Sequence, residues 1–179
     1  MNKLAMIGVL SGVAAVAIFA NSAANAENNL SYNSVYDKDL TAKAVFSVSK
    51  EENKKLGLEK YRNVKKLTKE ELIDLLQLVG FEGKALEVAW ATAMKESMGT
   101  PTSYNGNRKT GDSSYGLFQI NMLGLLGPER RDKFDLDSNK DLFDPVTNAE
   151  IAYHMSDGGK DWSAWKGITW KTKEWMERY

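Results

Sequence analysis

Ser113-Ser114-Tyr115-Gly116-Leu117-Phe118-Gln119-Ile120-Asn121 decides the fold, because of what stands on either side of it. The residues before it, Thr100 to Ser114, include Pro101, Asn105, Gly106, Asn107, Gly111 and Asp112. Turn-formers at that density predict loops and a tight hairpin, not a helix. Further upstream, an apolar stripe of Leu86, Ala89, Trp90 and Ala93, with Met94 beside it, predicts a helix over about Lys84 to Ser97. Gly99 and Pro101 end that helix. Before it, Thr68-Lys69-Glu70-Glu71 has the form of a capping box. Leu72, Ile73, Leu75, Leu76 and Val79 then share one broad helical face, and Gly80 is a natural stop. Phe81-Glu82-Gly83 joins the two into a helical hairpin. Downstream, Asp144-Pro145 introduces a helix holding Asn148, Ala149, Ile151, Ala152 and Tyr153. Gly158-Gly159 ends it, and Trp162, Trp165, Trp170 and Trp175 follow. Helices, then a polar hairpin, then more helices predict a mostly α, α+β domain with a small β-hairpin insertion in a helical core.

The other end of the chain reads differently. Met1 to Ala26 has a cation at Lys3, an apolar run from Leu4 to Ala20 and small residues at Ala24 and Ala26. Those are the parts of a secretory signal peptide cleaved after Ala26. The alternative is a weak signal-anchor, since the run is short and rich in Ala and Gly. Membrane contact is expected to be transient, through this segment alone. Residues 27–66 are expected to be a loose lead-in, with a short strand at Ala44-Val45-Phe46-Ser47-Val48 and a helix starting at Ser49-Lys50-Glu51-Glu52. Residues 67–179 would form the functional domain.

Composition removes several chemistries. The 179 residues contain no cysteine, which excludes thiolate metal sites and a Cys nucleophile. An exported chain without disulfides must be stabilised by core burial. The single histidine, His154, supports neither a His-rich metal site nor a serine–histidine triad and is expected to be structural or at the surface. There are 24 basic and 24 acidic residues, and loss of a leader carrying Lys3 leaves a net charge of −1. A chain so balanced has no electrostatic case for nucleic acid. Asp135-x-Asp137-x-Asn139-x-Asp141 resembles the start of a calcium loop, but Lys140 stands where glycine is needed and Val146 where a bidentate Glu is needed. No metal and no cofactor is expected, and a monomer is.

Glu96 is the candidate for chemistry. Its place at a helix end, after Trp90 and Met94, predicts a carboxyl group kept protonated by apolar neighbours and by the negative end of the helix dipole. Such a group can give a proton to a leaving oxygen. Alone, the same position suits an ordinary solvated glutamate. The order of motifs decides between them. Glu96-Ser97, the turn-rich loop, and then Tyr115-Gly116-Leu117-Phe118-Gln119-Ile120-Asn121 resemble the lysozyme-like superfamily, closest to soluble lytic transglycosylases and goose-type lysozymes. Leu142-Phe143-Asp144-Pro145 with Asn148-Ala149-x-x-Ala152-Tyr153 is similar to the family's third signature. Asp161-Trp162-Ser163-Ala164-Trp165 resembles the closing aromatic segment of related phage and bacterial domains. The resemblance covers about Leu67 to Trp165.

It implies an exported enzyme, periplasmic or extracellular, that cuts the β-1,4 bond between N-acetylmuramic acid and N-acetylglucosamine in peptidoglycan strands, with Glu96 as catalytic acid. A glycosidase of either stereochemistry needs a second carboxylate. In c-type lysozymes an Asp precedes the Tyr-Gly pair, where this chain has Ser114; in goose-type lysozymes the last motif position is acidic, where this chain has Asn121. That departure implies a lytic transglycosylase, in which Glu96 is acid first and then base on the sugar's own 6-hydroxyl. The alternative is a hydrolase in which Asp112 activates a water; Asp112 also suits an ordinary turn. A third reading is a wall-binding or machine-associated domain with little catalysis. Ser114, Tyr115, Gly116, Gln119 and Asn121 are candidate substrate-binding residues. Gln119 and Asn121 equally suit ties between hairpin and helices, and Gly116 a simple turn. Tyr153 resembles the family's tyrosine near the acid, or is core packing. Trp165, with Trp162, stacks on sugar or closes the core.

Overall fold

The computed structural model describes residues 38–179, apart from 108 and 110. The expected leader and the lead-in up to residue 37 lie outside the described residues. The chain divides into two units, Met1–Lys43 and Ala44–Tyr179, and the second contains everything that follows except the start of the first helix. Among the described residues there are six α-helices and three two-residue strands: α1 (Lys38–Glu59), α2 (Lys69–Val79), α3 (Gly83–Ser97), β1 (Tyr104–Asn105), β2 (Ser114–Tyr115), β3 (Ile120–Asn121), α4 (Leu126–Phe134), α5 (Pro145–Met155) and α6 (Trp170–Met176). Short 3₁₀ turns cover Asn139–Phe143 and Ser163–Trp165. The domain is the mostly helical α+β fold that the pattern predicted.

Local chemistry sets the helix ends. Thr68 accepts a hydrogen bond from the Glu71 amide, and the Glu71 carboxylate accepts one from the Thr68 amide at 2.8 Å, so two otherwise unpaired donors are satisfied. The buried face of α2 is Leu72, Leu75, Leu76 and Val79. Each such side chain contributes about 1.5–3 kcal/mol by leaving water. α2 packs on α3 and on α5, and α6 lies along α3. There the Trp90 ring meets Trp175 at 6.1 Å and Tyr179 at 5.5 Å, both edge-on. Asp144 caps α5 through the Thr147 amide, with Pro145 as the first helical residue. Ser138 and Asp141 form a capping box on the 3₁₀ turn. Those residues of the calcium-like stretch therefore serve local structure.

Two expectations need correction. Ala44–Val48 is helical, not a strand, and Ser49 lies inside α1 and does not start it. The β-branched pair Val45 and Val48 is outweighed by helix formers around it and by the Glu51–Lys55 spacing, which supports a helix over a strand. The core also reaches upstream of residue 67: Leu58 and Tyr61 are buried in it, and Arg62 forms an ion pair with Asp144 at 2.9 Å.

The sheet is a three-stranded antiparallel meander, β1-β2-β3. Tyr104 pairs with Tyr115, Ser114 with both Asn105 and Asn121, and Tyr115 with Ile120. Three rings run along it: Tyr115 lies 4.8 Å from Tyr104 and 5.4 Å from Phe143.

Candidate functional site

Glu96 occupies the last turn of α3. The helix stops because Met98 turns left-handed at φ 55° and Gly99 follows at φ 69°. The Glu96 side chain is 27% exposed, so solvent and ligand can reach it. Its surroundings differ from the expected apolar shell. Trp90 faces α6, where Lys69 Nζ also sits 5.0 Å over its ring. Met94 lies against Gly99, which Leu72 also approaches. The group in contact with Glu96 is a cation: Lys95 Nζ stands 2.9 Å from Oε1.

The Tyr-Gly-Leu-Phe-Gln-Ile-Asn segment is held from below by one residue of α5. Asn148, fully buried, accepts a hydrogen bond from the Phe118 amide at 2.9 Å. Its Nδ2 donates to the Tyr115 carbonyl at 3.0 Å and to the Leu142 carbonyl at 2.9 Å. A buried amide whose donors and acceptor are all used fixes the backbone it touches. Gln119 Nε2 donates to the Ser103 and Gly116 carbonyls at 3.1 and 2.9 Å, which ties the two sides of the loop. Asn121 Oδ1 accepts from the Leu123 amide at 2.9 Å, and its carbonyl accepts from the Arg130 guanidinium.

Both oxygens of Asp112 are engaged inside the hairpin. Oδ1 accepts from the Ser114 hydroxyl, and Oδ2 accepts from the Asn105 amide at 2.7 Å. Ser114 itself is buried. Tyr115 is half-buried, and the Ser113 hydroxyl at its phenol oxygen holds its pKa below 10.0, against the opposing pull of burial.

Two of the expected site residues have their rings taken up in packing. Tyr153 packs edge-on against Phe81 at 5.0 Å and covers Gly80 and Gly158. Gly159 in turn abuts Ala85, so this cluster is at the start of α3. Glu96 is eleven residues further along, about 16 Å at 1.5 Å per residue. Trp165 is 7% exposed, its Nε1 donates to the Phe118 carbonyl at 2.7 Å, and its ring meets Phe118 and Trp162. A ring so covered closes the core and offers little face to a sugar. Trp162 is buried likewise, with Nε1 donating to the Gly159 carbonyl at 2.9 Å. Tyr104, which sequence reasoning passed over, is 55% exposed on β1. An aromatic residue inside a turn-rich loop was the available signal. His154 is exposed and lies edge-on to Phe134 at 5.4 Å.

A cavity of about 430 Å³ lies between α4, α5 and Arg62, lined among others by Phe134, Glu150 and His154. It carries charges of both signs, and its Arg62 is already bonded to Asp144 and Thr147. It does not include Glu96, so size alone does not mark the site.

A helical core with an acid at the end of one helix, facing solvent, and a small antiparallel sheet inserted after it define a lysozyme-like domain. A family model described as "Lysozyme like domain" matches residues 74–167, more than half of the chain, and the chain belongs to that family. No curated protein and no solved structure matched the chain. Membership points to peptidoglycan as the substrate and to cleavage of its glycan strands, consistent with a periplasmic or extracellular location. Among the described residues, no helix is long and apolar enough to cross a membrane.

Proposed function

We propose that this protein is an exported lytic transglycosylase that cleaves the N-acetylmuramic acid β-1,4 N-acetylglucosamine bond with Glu96 alone as catalytic acid and base. Glu96 gives its proton to the bridging oxygen as the bond to the muramyl C1 breaks. The resulting carboxylate then takes the proton of the 6-hydroxyl, and O6 closes on C1 to give a 1,6-anhydro ring. The nucleophile is already part of the sugar, so no water has to be positioned. The observation that carries this reading is the state of the other carboxylate near the motif: Asp112 has both oxygens bonded within the hairpin. With Ser114 and Asn121 neutral, the second carboxylate that hydrolysis needs is absent from both motif positions where relatives carry it. Tyr104 and Tyr115 supply the aromatic surface beside the motif, and Gln119 and Asn121 hold its backbone.

Digestion of purified peptidoglycan and mass analysis of the products test the proposal. Anhydro-muropeptides are expected, and Glu96→Gln should lose them. Products heavier by one water would make the protein a hydrolase and return Asp112 to the mechanism. No soluble product from either form would leave a wall-binding domain.

A further inference from the structure

Lys95 and Glu96 are neighbours in the chain, and neighbouring side chains on a helix diverge. Yet Lys95 Nζ reaches Glu96 Oε1 at 2.9 Å. The lysine side chain is 11% exposed, which is unusual for a residue type that is almost always solvated. A second oxygen holds it there: Nζ donates to the Trp165 carbonyl at 3.2 Å. That carbonyl is itself fixed. The Trp165 indole donates to the Phe118 carbonyl, and the Phe118 amide donates to Asn148. Three separate stretches thus end at one ammonium: the motif segment, the closing aromatic segment and the helix that carries the acid.

Ordering a four-carbon side chain costs rotamer freedom, and withdrawing an ammonium from water costs more unless it is paired. What the arrangement accomplishes is to restrict where the Glu96 carboxylate can lie.

We propose that Lys95 is a positioning residue for Glu96. Aimed by the Trp165 carbonyl, its ammonium holds the carboxylate in one orientation and neutralises it between the first transfer and the second. Lys95 neither gives nor takes a proton; the proton leaves Glu96 for the bridging oxygen and returns to Glu96 from the 6-hydroxyl. This inference rests on Glu96 being the catalytic group.

The test is steady-state cleavage of soluble peptidoglycan strands by the full chain and by Lys95→Met, Lys95→Arg and Glu96→Gln. Far-UV circular dichroism at the assay temperature gives the folded fraction of each. Lys95→Met is expected to lower kcat, per folded molecule, by about tenfold or more while KM stays within about twofold, as for a group misplaced in the transition state. Lys95→Arg, which keeps the charge, is expected to recover most of the rate. The proposal is overturned if Glu96→Gln is inactive while Lys95→Met matches wild type per folded molecule. It is equally overturned if Lys95→Arg is as impaired as Lys95→Met. Glu96→Gln with wild-type activity would instead remove the catalytic assignment on which both readings stand.

Discussion

Gly116 sits at φ 77° in the turn after β2. A methyl group there would lie 2.1 Å from Asn148 Nδ2 and 2.2 Å from the Leu142 carbonyl oxygen. The second is backbone and cannot swing aside. The first belongs to a fully buried side chain held by bonds of 2.9 and 3.0 Å. Gly116→Ala must therefore move backbone or break the Asn148 amide bonds. Left-handed backbone at a non-glycine residue costs about 1–2 kcal/mol. Overpacking adds about 1–3 kcal/mol, and each lost hydrogen bond about 1 kcal/mol. With one bond lost the total is about 3–6 kcal/mol, a large part of the 5–15 kcal/mol typical of a whole domain. Gly167 provides the control, because its φ is 73° and nothing lies within 4 Å of an added Cβ. Gly167→Ala should lose only the backbone term, about 1–2 kcal/mol. Urea unfolding followed by circular dichroism gives both values. A Gly116→Ala variant within about 1 kcal/mol of Gly167→Ala would refute the reasoning, since it would mean that the turn yields freely.

Asn148→Leu keeps the branched shape, adds some volume and strands three backbone groups, the Phe118 amide and the Tyr115 and Leu142 carbonyls; the expected loss is about 3–5 kcal/mol by urea unfolding. Hydrogen exchange should show the Phe118 amide losing its protection, and unchanged protection would count against the Asn148 bond. Asp74 accepts from Lys60 and Tyr61, and the Lys60 hydrogen bond, followed by that of Tyr61, holds its pKa below 3.8. A depressed carboxyl pKa stabilises the fold above the unfolded value and is lost as pH falls through the folded one. The contribution of Asp74 is thus complete above about pH 4 and disappears in more acid solution. Carboxyl NMR titration should place Asp74 below 3.8 and show Lys60→Met moving it upward; an unmoved titration would remove the lysine as the main cause.

The parts of the fold that could be read in advance are those whose cause is local. Thr68 and Glu71, or Asp144 and Pro145, carry their caps in four residues, and the structure makes those bonds. The apolar stripe Leu86, Ala89, Trp90 and Ala93 is buried as its spacing requires. α1 was harder, because two valines in a short run look like a strand while the helix draws on charge spacing further along. At the candidate site, Glu96 was singled out from the order of motifs around it. Its partner was not. Helical geometry separates residues 95 and 96, and only the Trp165 carbonyl, seventy residues away, explains why Lys95 folds back. Trp165 shows another limit: an aromatic residue at that spacing suits a sugar platform or a core plug equally, and burial alone decides. Tyr153 follows the motif in sequence, yet its ring packs at the other end of α3 from the acid.

The neutral side chain at position 114 is accounted for by the hairpin's own hydrogen bonds. Ser114 is buried in the middle strand, opposite Asn105 and Asn121, and its hydroxyl is a donor to Asp112. An acid at position 114, as in c-type lysozymes, would bring a second carboxylate against the Asp112 oxygen that now accepts from serine. Two carboxylates that close cannot both be ionised without a raised pKa in one of them. Asp112 and an acid at 114 are therefore alternatives in this hairpin. With Asp112 present and bridged between Asn105 and Ser114, the electrostatics favour a hydroxyl at 114. The same bridge already engages each Asp112 oxygen once. Water activation by Asp112 would have to share oxygens that already organise β1 and β2, whereas ring closure by the substrate's own hydroxyl asks nothing of the sheet.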